Sequence, residues 1–258
     1  MAAAHVTELA LTAVKGMRVQ PVDAVTLGPA GARGDRAFYV VDDAGRMLNG
    51  KDIPTLQSVV ADYDPDAAVL GLTFPDGSAV RDTVAHGETI TTRFFSRPRE
   101  AQVLDGPWAG ALSDFFDRPL RLVDSGTGAV DRGRKAGASL ISRASLEKLA
   151  EVADRDTVNG RRFRMLIEVD GIGAHAEDGW VGGRVRVGEA LLAVRGHVGR
   201  CVITNRDPAT GQTDLQTLKL LGSYRRDLDT TEPVAFGVHA EVLEAGTVRV
   251  GDPVALDR

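Results

Sequence analysis

The chain has 258 residues, 43% hydrophobic and 26% charged, with one cysteine and a formal net charge of −5 at pH 7. A lone thiol closes no internal disulfide and builds no four-cysteine zinc or iron–sulfur site, while the acidic balance argues against nucleic acid as a partner. No apolar run approaches the roughly 18 residues needed to cross a bilayer, and the opening Met1-Ala2-Ala3-Ala4-His5-Val6 lacks the layout of an export signal, so the expectation is a cytoplasmic protein with no membrane partner.

The first hundred residues read as short strands. Leu9, Leu11 and Ala13 share one face of a strand that stops at Lys15-Gly16, and Phe38 and Val40 oppose Ala37, Tyr39 and Val41 in a second. Asp42-Asp43-Ala44-Gly45, Asp64-Pro65-Asp66 and Pro75-Asp76-Gly77 are turns between further strands. Leu112, Phe115 and Phe116 then recur at helical spacing and stop at Arg118-Pro119, which predicts one short helix between the halves. The polar stretch from Asp124 to Ala138, with Gly126, Gly128, Gly133, Arg132, Arg134 and Lys135, reads as a flexible basic loop.

The second half opens with a helix. Ser142 is placed to cap it, and Leu146, Leu149, Ala150 and Ala153 fall on one face. A strand is expected over 162–169, with Phe163, Met165, Ile167 and Val169 on one side and Arg162 and Arg164 together on the other. Two guanidinium groups on one face call for an anion, carboxylates or solvent to compensate them. The rest returns to β-structure: Val185 and Val187 precede a Gly188-Glu189 turn, and Val248, Val250, Gly251-Asp252, Val254 and Leu256 repeat the scheme at the tail.

Cys201 heads the strand-like run Arg200-Cys201-Val202-Ile203-Thr204, followed by the turn Asp207-Pro208-Ala209-Thr210-Gly211. A single thiolate can be a nucleophile, a carrier of one sulfur atom, or one soft ligand to a thiophilic metal whose other ligands come from a cofactor; it can also be a small buried hydrophobe. His197 lies four residues earlier, a spacing that does not by itself bring a base to the thiol. The chain has no Walker phosphate loop, no Gly-x-Ser-x-Gly elbow and no His-Glu-x-x-His. Arg33-Gly34-Asp35 is read as a glycine turn before a strand rather than an adhesion signal.

Ser139-Leu140-Ile141-Ser142-Arg143-Ala144-Ser145-Leu146, Arg162-Phe163-Arg164, Ala176-Glu177-Asp178-Gly179-Trp180, Val187-Gly188-Glu189-Ala190 and the Arg200-Cys201 segment follow one another in an order that resembles the MOSC domain. Ahead of them, Ala13-Val14-Lys15-Gly16-Met17, Gly34-Asp35-Arg36 and Asp42-Asp43-Ala44-Gly45-Arg46 resemble the β-barrel domain preceding MOSC in amidoxime-reducing molybdoenzymes. The resemblance implies a mostly β fold of two β-barrel domains with a few short helices: an N-terminal barrel over 1–110, a connecting helix and basic loop over 111–138, and a MOSC domain over 139–258. It also implies molybdenum cofactor (molybdopterin) as the bound group. Cys201 would be catalytic and the molybdenum ligand, with Lys15, Arg36, Ser142, Arg143, Arg162, Arg164 and Arg200 as cofactor-binding positions. Where the amidoxime-reducing group usually continues Arg-Phe-Arg with Pro-Asn, this chain has Met165-Leu166, and Asn49-Gly50-Lys51 stands where an arginine is common.

The function so implied is a molybdenum oxidoreductase acting on N-hydroxylated or other N–O and S–O small molecules, fed by an external ferredoxin or flavoprotein reductase, because the chain has neither an iron–sulfur cysteine cluster nor a nicotinamide fingerprint. Two alternatives stay open: a sulfur carrier whose Cys201 persulfide comes from a pyridoxal-phosphate cysteine desulfurase, and a non-catalytic molybdopterin-binding module.

Overall fold

The computed structural model describes residues 3–124, 126 and 133–257. Its largest element is an eight-stranded sheet in the order Val254–Asp257, Arg184–Val187, Ala190–Gly199, Ala235–Glu244, Ala138–Ser142, Ile167–Asp170, His5–Leu11, Gln20–Val22. Alternation along these strands sends Val6, Leu9, Leu140, Ile167, Val169, Val185, Val187, Leu192 and Val238 into one core. The parallel pair is Ala138–Ser142 with Ile167–Asp170, and a parallel neighbour requires a crossover. The helix Arg143–Val152 supplies it, capped by the Ser142 side chain accepting from the Ser145 N–H, as the sequence predicts.

The fold is mostly β, but its sheets are not barrels closed by a continuous ladder. The large sheet curls until its two sides meet at a single bridge, His5 with Pro253, flanked by Val6 N–H to Asp252 O at 2.9 Å and Val254 N–H to Ala4 O at 2.9 Å. Strands from the start of the chain are part of this sheet: His5–Leu11 pairs with Ile167–Asp170, and Ala24–Gly28 pairs with Gly246–Arg249 in a small separate sheet. The tail is therefore no hairpin, since Val254–Asp257 pairs instead with Arg184–Val187.

The remaining N-terminal residues build a second core. One sheet runs Ala85–Phe94, Arg97–Asp105, Arg121–Asp124, Phe38–Val41, Met47–Leu48, and a three-stranded sheet joins Val60–Asp64, Val69–Thr73 and Ala79–Thr83 through the turns expected at Pro65 and Gly77. The helix Trp108–Phe116 packs Trp108 and Leu112 into this core, with the indole N–H bonded to Leu70 O at 3.1 Å. Of the basic loop, Gly128 and Arg132 lie outside the described residues, and Arg134 and Lys135 sit in a 3-10 turn over Gly133–Ala136.

Two local expectations give way to tighter structure. The expected strand over 162–169 begins only at Ile167, because Asn159 caps a 3-10 turn over Gly160–Phe163 and Arg164 ends it in the left-handed region at φ +56°. Asn-Gly is turn chemistry, and it overrides the apolar alternation that follows. The run after Cys201 is likewise a 3-10 turn, Val202–Asn205, entered from the end of the strand Ala190–Gly199.

Candidate functional site

A cleft of about 380 Å³ opens between the two cores, within the size range of small-molecule sites. Its lining includes Lys15, Arg36, Lys51, Arg162, Arg164, Arg200 and Cys201, with Asp35 as the one carboxylate on the wall among the described residues. The cysteine is partly exposed rather than fully buried, and it lines this basic hollow.

Cys201 is held from behind. Its carbonyl accepts from the Thr204 N–H at 3.1 Å and from Thr204 Oγ1 at 3.0 Å, and Thr204 Oγ1 lies 2.7 Å from Thr217 Oγ1 on the helix Thr217–Tyr224. Arg162 braces the far end of the turn by donating Nη1 to Thr204 O at 3.1 Å. The same guanidinium forks onto Asp214 at 3.1 and 2.8 Å. Of the two arginines expected to share a strand face, Arg162 is thus compensated by a carboxylate, although its buried Nε has no hydrogen-bond partner among the described residues.

Arg200, beside the cysteine, is buried, and among the described residues no carboxylate pairs with it. It donates Nε to Phe236 O at 2.8 Å and Nη1 to Phe163 O at 2.9 Å, and Nη2 touches Phe236 O and Met165 Sδ. Burial pushes this guanidinium down to about 9, the Cys201 charge pulls it back up, and Arg225 adds to the downward push. At neutral pH the group stays cationic, one residue from the cysteine on the cleft wall.

Lys15 and Arg36 come from the N-terminal half. Lys15 follows a buried run, Thr12 to Val14, donates its N–H to Phe38 O at 2.8 Å, and carries Nζ 5.5 Å from the Phe95 ring centre. Gly16 takes φ +93°, and a Cβ there would press on Leu56, so the turn beneath Lys15 needs glycine. Arg36, at φ +50°, pairs with Asp35 and donates Nη2 to Arg164 O at 3.0 Å.

Two nominated residues lie elsewhere. Ser142 is fully buried as the helix cap, its N–H donated to Glu177 Oε1 at 3.1 Å, and Arg143 pairs with Glu168 at 2.9 Å; neither is on the cleft wall. His197 faces Asp178 at 3.6 Å and lines a different cavity, so the Cys–His pairing is not formed. Sequence reasoning also passed over Lys51 and Phe95 as wall residues. Lys51 follows an Asn49-Gly50 turn, a signal that could have placed it; Phe95 occupies a hairpin tip with no glycine or asparagine to mark it.

The wall chemistry fits an anionic group with a thiophilic metal. Its cationic side chains outnumber Asp35 even after Asp214 is set against Arg162, and guanidinium forks and ammonium charges are the usual partners of phosphate. Cys201 supplies a soft thiol donor, whereas the Met165 thioether on the same wall contacts Arg200 Nη2.

Residues 127–255 match the model of the MOSC domain, and residues 3–121 match that of the MOSC N-terminal beta barrel domain. The chain is 26% identical over 271 residues to mitochondrial amidoxime-reducing component 1 of Mus musculus, covering 94% of this chain and 78% of that protein. To mitochondrial amidoxime reducing component 2 of Bos taurus it is 27% identical over 286 residues, covering 96% and 82%. A molybdenum cofactor sulfurase of Oryza sativa subsp. japonica is 25% identical over 259 residues, 86% of this chain but 31% of the sulfurase.

Proposed function

The chain belongs to the MOSC family, with the family's N-terminal barrel domain ahead of the MOSC domain, and from that premise we propose that it is a molybdenum-cofactor-dependent oxidoreductase that removes oxygen from N-hydroxylated or related N–O and S–O small molecules. The observation that carries this reading is the position of Cys201, partly exposed on a cleft whose charged wall residues are cationic apart from Asp35. When bound, the cofactor supplies the redox chemistry, two electrons and an acceptor for oxygen.

The protein's share is binding, orientation and charge. Cys201 is the metal's protein ligand, fixed by the Thr204 bonds to its carbonyl. Arg200 contributes a buried positive charge next to the cysteine in sequence, while Lys15, Arg36 and Arg164 grip the phosphate end of the cofactor. Arg162 is a positioning residue, its fork on Asp214 steadying the turn that presents the cysteine. Electrons come from a separate ferredoxin or flavoprotein reductase, and the setting is cytoplasmic. Among the described residues no helix is long and apolar enough to cross a membrane.

The likeness to a cofactor sulfurase keeps sulfur transfer through a Cys201 persulfide as the second reading. Expression in a cofactor-competent host separates the two. Stoichiometric molybdenum with reduction of a hydroxylamine by an artificial electron donor supports the oxidoreductase; metal-free protein accumulating cyanide-labile sulfur supports the carrier.

A further inference from the structure

Phe94 and Phe95 are neighbours at the tip of the hairpin formed by Ala85–Phe94 and Arg97–Asp105, and the fold treats them oppositely. Phe94 is buried, packed edge-on against Tyr39 at 5.2 Å with Arg99 over its ring at 4.9 Å. Phe95 is 51% exposed, takes φ +55°, and stands on the cleft wall with Lys15 and Cys201. A two-residue hairpin turn favours glycine, asparagine or aspartate at positive φ, and a bulky ring there is an outlier.

The turn itself gives no reason for the ring. Glycine would relax the turn and remove exposed apolar surface, so strain and exposure together point to a task in the cleft. The arm that carries Phe95 is braced two residues before it, where the Arg93 N–H is donated to Gly45 O at 2.8 Å. Lys15 Nζ and the edge-on Phe94 ring at 5.1 Å fix the Phe95 ring from two sides. An exposed apolar disc is thus held on a wall that also carries the cationic side chains of Lys15, Arg36 and Arg164.

We propose that Phe95 is the substrate-selecting lip of the cleft: its ring stacks on flat, conjugated substrates and favours aryl over alkyl N-hydroxylated compounds that share one polar head. The substrate chemistry rests on the oxidoreductase reading, whereas the stacking itself does not. Phe95 positions the substrate and touches neither sulfur nor metal.

The test compares holoprotein of the wild type, Phe95→Gly and Phe95→Trp with benzamidoxime and acetamidoxime, which differ only in a ring against a methyl. Glycine suits the turn, so Phe95→Gly folds. The wild type is expected to favour the aryl compound through KM; Phe95→Gly loses about fivefold of that preference with kcat little changed, and Phe95→Trp keeps it. Ligand-observed NMR with benzamidine and acetamidine, which carry no N–O bond, reads the same preference without turnover. An unchanged aryl-to-alkyl ratio in Phe95→Gly, equal losses on both compounds, or benzamidine binding indifferent to Phe95 overturns the proposal. Wild type that reduces neither amidoxime yet binds benzamidine through Phe95 defeats the oxidoreductase reading and leaves the lip standing.

Discussion

Arg36 reaches from the N-terminal half to donate Nη2 to the backbone carbonyl of Arg164 at 3.0 Å, and both residues are left-handed, at φ +50° and +56°. Such backbone persists in non-glycine residues where the surroundings over-determine it, at roughly 1–2 kcal/mol each. The chain thus tolerates strain at two arginines to set their side chains on one cleft. Arg164→Gly is expected to relieve about 1 kcal/mol of strain while deleting a cation. Its thermal midpoint should hold or rise as its molybdenum content falls; cofactor occupancy equal to wild type would show that Arg164 makes no contact with the bound group.

Arg162 predicts the reverse pattern. Its guanidinium is buried while Asp214 is 32% exposed, so removing Arg162 costs about 2 kcal/mol, less than for a fully buried pair, because water reaches the carboxylate left behind. Arg162→Ala should unfold at markedly lower urea concentration than wild type, whereas Lys15→Ala should lose cofactor with little change in the unfolding curve.

The seam between the halves depends on Gly211. At φ +77° it lies so close to Pro54 that a Cβ would collide with the Pro54 carbonyl, and Arg18 reaches across to Ala209 O at 2.7 Å beside it. Gly211→Ala should destabilise by more than about 2 kcal/mol, with strain and overlap adding. Gly77→Ala is the control, since Gly77 has φ +86° but open space around it, and backbone strain alone predicts about 1 kcal/mol. Denaturant unfolding of the two variants reads the difference.

Behind the cleft, burial and the Arg225 charge push His175 down to about 4, opposed by Asp178, with Lys148 adding a smaller push. A base with a depressed folded pKa contributes stability that is present above about 6.5 and lost as pH falls through about 4. Burial raises the Glu177 carboxyl, against hydrogen bonds from the Ser142 N–H and Ser145. Its contribution is present below the unfolded value and lost as pH rises, so the two oppose each other. Glu177→Gln removes the opposition. Its unfolding free energy should climb between pH 4 and 6.5 by at most about 1.4 kcal/mol per unit, more steeply than wild type. A flat profile in the variant would contradict the His175 assignment.

The sequence made the β-rich fold, the capped helix after Ser142 and the hairpin turns legible, because periodicity and turn chemistry are local signals. The interleaving was not: nothing in His5–Leu11 or Gly246–Arg249 says that they pair across more than a hundred residues. Within the site, Cys201, Lys15, Arg36, Arg164 and Arg200 could be nominated from motif order and do converge on one wall. Arg162 reached the same wall for a different reason, as Asp214 is 52 residues away and invisible as its partner. Ser142 and Arg143 followed from the same motif, yet helix capping and Glu168 occupy them. Phe95 escaped because strain at a hairpin tip is a property of backbone angles rather than of composition.

Cys201 is partly exposed and forms no disulfide, so Cys201→Ser should fold with stability within about 1 kcal/mol of wild type. Molybdenum K-edge absorption of the wild type and this variant, both from a cofactor-competent host, tests the sulfur directly. The account predicts stoichiometric metal in the wild type and one fewer sulfur neighbour around it in the variant. An identical sulfur count in the two proteins, or wild type without molybdenum, would contradict it.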